Sequence, residues 1–186
     1  MLLPGGPWRQ ARAAQADRRA GGPSFRQLSR VSALAYNTIM AAAADYDARY
    51  LAGVLFFNRR DFFEAHEVWE ELWADNAGPD RSFYQGLIQA AVGLLHFENG
   101  NLRGARKLYR TSRAYMEPFF PAHRGLDVAG FWAQMERCFA ALAGSAEPPP
   151  DARPPAELIP TITLDPPPAA WPDPEAFLPA DEARDE

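Results

Sequence analysis

Twelve residues, FFEAHEVWEELW from Phe62 to Trp73, constrain the fold of this chain more than any other stretch. At the rotation of about 100° per residue in an α-helix, the apolar side chains share one arc and three of the four glutamates lie opposite. The apolar arc holds Phe62, Ala65, Val68, Trp69, Leu72 and Trp73, and the water-facing side holds Glu64, Glu67 and Glu71. The segment is therefore predicted to be an amphipathic helix with one face in a core.

A histidine and a glutamate, His66 and Glu70, lie at the border of this arc. They are four residues apart, so their side chains can meet on the helix surface. Phe63, beyond the pair, predicts that burial continues past it. A partly buried histidine–carboxylate pair can act as a general base or bind a metal ion. His66 and Glu70 are therefore the candidate catalytic and metal-binding residues, with Glu67 as a further catalytic candidate.

Helical periodicity continues on both sides of this segment and predicts an all-α fold, a compact array of about five helices. The helices are expected from about Asp45 to Phe57, Asp61 to Ala74, Asp80 to Asn99, Asn101 to Glu117, and Val128 to Ala143. Asp61 is the expected cap of the second helix, in a capping box with Glu64, and Asp80 a candidate cap of the third. Gly100 should end the third helix, and Asn101 should cap the fourth.

The start of the second helix recurs 40 residues later in the chain. The segment from Phe57 to Ala65 and the segment from Phe97 to Ala105 share a turn, a cap, an apolar anchor and a small residue at equivalent places. This repeat predicts two helical hairpins in tandem, followed by a closing helix.

The third helix is apolar nearly all round, which predicts that it is central and buried. Its polar exceptions, Gln85, Gln89 and His96, share one stripe, beside Gly86 and Gly93, which would let another helix approach. The stripe supplies the candidate binding residues of a small polar pocket around His66, Glu70 and Gln89. The alternative for the same side chains is a satisfied hydrogen-bond network that fixes helix register.

The two ends of the chain differ in charge from its centre. Residues 1–44 carry six arginines and one aspartate, and residues 145–186 carry two arginines, ten acidic residues and twelve of the 18 prolines. We interpret residues 1–44 as a basic disordered arm, or as sequence preceding a true start at Met40, and residues 45–144 as the helical domain. Residues 145–186 are expected to be an acidic, proline-rich tail that is partly docked.

Bulk properties limit the surroundings and partners. One cysteine, Cys138, rules out an intramolecular disulfide and fits a cytoplasmic location. No apolar run approaches the roughly 20 residues of a spanning helix. The net charge of −5 argues against a general nucleic-acid binder, and the basic fourth helix is interpreted as a solvated face. His123, in a loop after Pro121, is expected to be solvated, and no residue pattern points to a particular cofactor.

Two segments, FNRRDFFEAHEVWEELW and FYQGLIQAAVGLLHFENGNLRGARKLY, resemble the domain of unknown function family 309 (DUF309). The resemblance covers about residues 47–117. It implies a small all-helical protein and carries no activity with it.

The function predicted from these features is a binding or scaffold module for an unknown protein or small molecule, with the polar pocket around His66, Glu70 and Gln89. Helical hairpins commonly offer a groove to a peptide or helix, which the acidic tail could fill in cis. The alternative is a hydrolase-like or metal-dependent enzyme that uses His66 and Glu70. A homo-oligomer is left open.

Overall fold

The computed structural model describes residues 46–144 and 148–178. The predictions for residues 1–44 lie outside the described residues. The described part is mostly helical, which confirms the all-α prediction. Its α-helices are α1 (Ala48–Arg59), α2 (Phe62–Asp75), α3 (Arg81–Glu98), α4 (Leu102–Met116), α5 (Val128–Cys138) and α6 (Ala140–Ala143). Short 3₁₀ turns occupy Glu117–Phe119, Ala156–Leu158 and Pro174–Phe177, and two short antiparallel strands are β1 (Ala122–His123) and β2 (Leu126–Asp127).

The two predicted hairpins are α1–α2 and α3–α4, and the turns within them share a left-handed residue and a backbone hydrogen bond. Arg60 and Gly100, 40 residues apart, both adopt the left-handed conformation, with φ of 73° and 75°. In each turn the next amide donates back to a carbonyl five residues earlier, from Asp61 to Phe56 at 3.0 Å and from Asn101 to His96 at 2.8 Å. The sequence repeat is therefore a repeat of turn geometry.

Helix caps follow the sequence at one hairpin and depart from it at the other. The side chain of Asn101 accepts a hydrogen bond from the Gly104 amide at 3.0 Å, as predicted for the cap of α4. Asp61 occupies the N-cap position of α2, but its side chain makes no capping hydrogen bond. The predicted capping box with Glu64 is therefore wrong.

The core forms where α1, α2, α3 and α5 meet. Trp69 of α2 is fully buried and donates from its indole nitrogen to the Tyr50 carbonyl at 3.2 Å. It reaches this position because Gly53 has no side chain, since a Cβ there would lie 2.1 Å from the indole nitrogen. The rings of Phe57 and Phe131, 5.9 Å apart, join α1 to α5. The apolar arc of α2 therefore packs into the core as predicted, although Trp73 at its end is only half-buried.

Helix α3 lies between α2 and α4 and contacts both. Gly86 faces α4, where the Ser112 hydroxyl donates to the Gly86 carbonyl at 2.6 Å. Gly93, two turns later, faces Leu108 of the same helix. The two glycines therefore admit a neighbouring helix, as their spacing predicted.

The closing helix is shorter than predicted. It ends at Cys138, and the separate turn Ala140–Ala143 follows Phe139, which is buried against Phe97 of α3 at a ring distance of 5.1 Å. Within the described residues, no helix combines the length and the apolar content needed to cross a membrane.

The proline-rich segment 148–178 packs along α1 and α5. Asn58 donates to the Ile162 carbonyl at 2.8 Å and accepts from the Ile162 amide at 2.7 Å. Leu164 forms a bridge with Leu126 of β2, and both Ile162 and Leu164 are buried. Gln134 of α5 bonds the Thr161 backbone. The hydrogen bonds between the described tail and the helices thus use the side of the molecule formed by α1 and α5.

Candidate functional site

Helical rotation places most of the predicted site residues along one groove, which follows α3 between α2 and α4. Gly86 and Gly93 turn toward α4, and α2 packs on the other side of α3, so the polar stripe of α3 is left between them. We call this feature the α2–α4 groove. Trp73, Gln85 and Tyr115 line a cavity at one end of it. By the same rotation the rest of the floor is Gln89, Val92 and His96, and the rest of the walls is Phe63, His66 and Glu70 of α2 and Leu108 and Thr111 of α4.

One end of the groove holds a small open cavity of about 180 Å³ between Trp73, Gln85 and Tyr115. The Arg81 guanidinium lies 3.6 Å from the centre of the Trp73 ring, within cation–π range. Arg81 also donates to the Trp73 carbonyl at 2.8 Å and to the Asn76 carbonyl at 3.0 Å. These contacts fix a positive charge and an aromatic ring at the mouth of the cavity.

The other end of the groove holds His66 beside Phe63. Their rings meet edge to face, with centres 4.8 Å apart, and Nδ1 of His66 contacts the Phe63 carbonyl. Because a carbonyl only accepts hydrogen bonds, a hydrogen bond in this contact requires the proton on Nδ1. Phe63 is 50% exposed, so the prediction that burial continues past His66 is wrong.

Gln89 lies in the floor of the groove, one helical turn from Gln85. Its side-chain oxygen is buried and has no hydrogen-bond partner among the described residues. Glu70, on the α2 wall, is exposed. In the described part of the chain no hydrogen bond joins His66, Glu70, Gln85 and Gln89, and His66 contacts the Phe63 carbonyl instead. The alternative of a sealed network that fixes helix register is therefore not formed.

His96 lies at the far end of the floor, against the start of α4. A Cβ at Gly104 would lie 2.8 Å from a carbon of the His96 ring, so glycine is needed for the ring to lie there. Among the described residues, no group of three or more histidine, cysteine, aspartate or glutamate side chains is placed to hold a metal ion. Cys138 is buried in the core, and burial, with a smaller effect of Glu98, raises the pKa of its thiol to about 12.

A second polar cluster, absent from the sequence predictions, centres on Asp80 at the start of α3. Arg124 donates from Nε at 2.8 Å and from Nη2 to one carboxylate oxygen, and His123 lies 2.7 Å from the other. Burial raises the pKa of the Asp80 carboxyl, but the hydrogen bonds from Arg124 and His123 outweigh it and hold the pKa below its usual value. Asp80 occupies the N-cap position of α3, as expected, but its side chain makes no capping hydrogen bond. The expectation that His123 is solvated is wrong.

This cluster holds the turn between β1 and β2 against α1 and α3. The Tyr50 hydroxyl donates to the Arg124 carbonyl at 3.2 Å, and burial strongly raises the pKa of that hydroxyl. The Asp165 amide donates to the Gly125 carbonyl at 2.8 Å from the tail side. With its guanidinium bound to Asp80, Arg124 serves to fix the turn.

A family model matches the region from α1 into the first half of α4. Residues 50–108 match the family model described as "Domain of unknown function (DUF309)", which confirms the resemblance over that region. "Uncharacterized protein YpuF" of Bacillus subtilis (strain 168) is 35% identical over 78 residues, 41% of this chain and 43% of that protein. An "Uncharacterized protein" of Aquifex aeolicus (strain VF5) is 30% identical over 81 residues, 43% of this chain and 24% of that protein. The chain therefore spans less than half the length of these curated relatives.

Proposed function

We propose that the protein is a binding module and that its α2–α4 groove receives a segment of a partner protein. The observation that carries this proposal is the buried side-chain oxygen of Gln89, which has no hydrogen-bond partner in the described structure. A buried polar atom without a partner costs about 1–3 kcal/mol. An N–H group of a bound segment would supply the missing donor at the floor of the groove.

Exposed aromatic side chains on the groove walls support the same proposal. Three large hydrophobic side chains are exposed in the described part of the chain, Phe63 at 50%, Tyr115 at 41% and Trp171 at 45%. Two of these, Phe63 and Tyr115, belong to the two walls of the groove. Aromatic side chains of this kind are enriched in the centres of protein interfaces, where they contribute much of the binding energy.

The size of the cavity favours a protein segment over a small molecule. The cavity beside Trp73 holds about 180 Å³, less than the roughly 300–1,000 Å³ of typical small-molecule sites. An extended or helical segment would make its contacts along the whole groove and would not need one deep pocket. The single cysteine, Cys138, supports our placement of this module in the cytoplasm.

The catalytic alternative is less well supported by the geometry. Glu70 is exposed and makes no hydrogen bond to His66 in the described structure, so nothing holds the pair in a fixed arrangement. General acid–base catalysis needs a positioned side chain within hydrogen-bond reach of the proton it moves. A binding role needs only the shape and polarity of the groove.

Selection from a displayed random-peptide library against the whole chain tests the proposal. Peptides retained after counter-selection on the Phe63→Ser/Tyr115→Ser variant are expected to carry an aromatic or large apolar anchor. Their affinity for Gln89→Leu should fall by about 2- to 13-fold, because a hydrogen bond contributes about 0.5–1.5 kcal/mol. Trp171→Ser, which removes an exposed aromatic on the tail side, is the matched control and should bind normally. A selection that yields no groove-dependent peptide would contradict the proposal.

A further inference from the structure

We propose that a second copy of this chain covers the α2–α4 groove, an inference that rests on the proposed function and names its partner. The two helices that flank the groove carry opposite charge. Helix α2 contains five acidic residues and no lysine or arginine, and α4 contains five basic residues and no acidic one. The helix on one side of the groove is therefore acidic, and the helix on the other side is basic.

The charges nearest the groove are available to a partner. Glu70 is exposed and Glu67 half-buried on α2, and both Lys107 and Arg110 are exposed on α4. They occupy equivalent positions of the two hairpins, 40 residues apart. In the described structure α2 and α4 lie on opposite sides of α3, and no ion pair joins these four residues within the chain.

Twofold symmetry makes such a surface complementary to itself. Both α2 and α4 run antiparallel to α3, because each is joined to it by a hairpin or a short loop. A twofold axis parallel to α3 and within the interface would lay α2 of each copy over α4 of its partner, so acidic and basic helices meet twice. A twofold axis perpendicular to α3 would instead lay α2 over α2 and α4 over α4. Like charges would then meet, which is unfavourable.

The exposed aromatics fit the same arrangement. Phe63 lies at the start of α2 and Tyr115 at the end of α4, and both side chains are exposed. Both would be covered in the dimer, and they would contribute more to its affinity than the surface charges, which are worth about 0–1 kcal/mol a pair. The charges would instead decide the orientation of the two copies and the choice of partner.

The described hydrogen bonds of the tail do not involve the charges assigned to the pairing. Those that the tail makes to the helices go to Asn58, Arg59 and Gln134, on the α1 and α5 side. The described tail reaches α4 near the start of that helix, where Pro148 lines a cavity with Leu102, Arg103 and Arg106. Glu67, Glu70, Lys107 and Arg110 take part in neither contact.

A charge-exchange experiment on the full chain tests the dimer. One variant carries Glu67→Lys/Glu70→Lys, and the other carries Lys107→Glu/Arg110→Glu. The native chain is expected to have the mass of two chains by light scattering at low salt, and each variant alone that of one chain, because like charges then face each other. An equal mixture of the two variants should return to the mass of two chains, since both contacts in the mixed dimer again join opposite charges.

Controls and contrary results separate this inference from the proposed function. A variant with Arg137→Glu/Glu157→Lys, both exposed on the other side, should remain dimeric. Circular dichroism should show that every variant is folded. The inference would be overturned if the native chain were monomeric at all concentrations, or if each charge variant alone remained dimeric. In either case, peptides that bind the groove in the library selection would still support the proposed function.

Discussion

Asp80, at the start of α3, makes hydrogen bonds to a part of the chain outside its own helix. It is 6% exposed, and its two carboxylate oxygens take hydrogen bonds from Arg124 and His123. The carboxylate therefore joins α3 to the β1–β2 turn, 43 and 44 residues later in the chain. A buried carboxylate is tolerated here because both of its oxygens are bonded.

We expect Asp80→Asn to lower the free energy of unfolding by about 1–3 kcal/mol at neutral pH, because the amide accepts fewer and weaker hydrogen bonds from Arg124. The folded-state pKa of Asp80 is below its usual value. Its contribution is therefore present above the unfolded pKa of about 3.9 and is lost as the pH falls through the folded pKa. Urea denaturation of both proteins across this range measures the difference.

The difference between the two proteins should shrink as the solution is acidified, because the native carboxyl is then protonated as well. Glu157→Gln, at an exposed carboxylate of the tail, is the control and should change stability little at any pH. A gap between native and Asp80→Asn that is independent of pH would show that the charge of Asp80 is not what stabilises the turn.

Sequence reasoning missed this residue for a physical reason. Aspartate before an apolar helical pattern is the usual sign of an N-cap, and that local explanation of Asp80 was sufficient. Its partners, His123 and Arg124, lie in a loop whose position depends on the packing of α5 and the tail. Helical periodicity describes neighbours within one helix. It could not predict contacts between residues 43 and 44 positions apart in the sequence. The adjacent His123-Arg124-Gly125 beside Pro121 was the one available signal of an ordered turn.

At the scale of the element, the helical hairpins were the most predictable part of the chain. The Asn101 cap and the left-handed Gly100 act within one turn of a helix, where sequence spacing is informative. Gly86 and Gly93 are spaced two turns apart on one face of α3, so their role in helix packing could also be predicted from spacing. The groove was only partly predictable. Its floor followed from the polar stripe of α3, but the exposure of Phe63 did not, because exposure depends on which other helices pack beside α2.

We expect Gly100→Ala to lower the free energy of unfolding by about 1–2 kcal/mol, the cost of placing an L-residue in the left-handed region. Gly100 has φ of 75° in the turn that joins α3 to α4. Gly100→Asn is the matched variant, and it should cost less, because asparagine adopts this conformation more readily. Thermal unfolding of the three proteins measures the order. Equal losses for alanine and asparagine would indicate that crowding by Arg153, not backbone conformation, is the cause.

At the scale of the molecule, the proline-rich segment 148–178 packs over part of the hydrophobic core. Ile162 and Leu164 are 3% and 4% exposed, and the Leu164 bridge to Leu126 adds the tail to the edge of the small sheet. Proline composition predicts extended backbone, and the segment combines irregular backbone with two 3₁₀ turns. Composition does not indicate where on the molecule the segment lies. The alternating buried and exposed residues from Pro160 to Leu164 are the signal that one face of it is covered.

Replacing Leu164 tests whether the segment is held as firmly as the helices. Leu164→Ala is expected to cost up to about 2–5 kcal/mol, as for other buried leucines, if the tail unfolds together with the core. The cost is smaller if the tail detaches first, because a local opening limits what a tail substitution can remove. Hydrogen exchange of the Asp165 amide, which donates to the Gly125 carbonyl, separates the two cases. We expect this amide to exchange faster in Leu164→Ala and to be unchanged in Trp171→Ala, whose side chain is 45% exposed. Equal exchange in both variants would mean that Leu164 does not hold the tail in place.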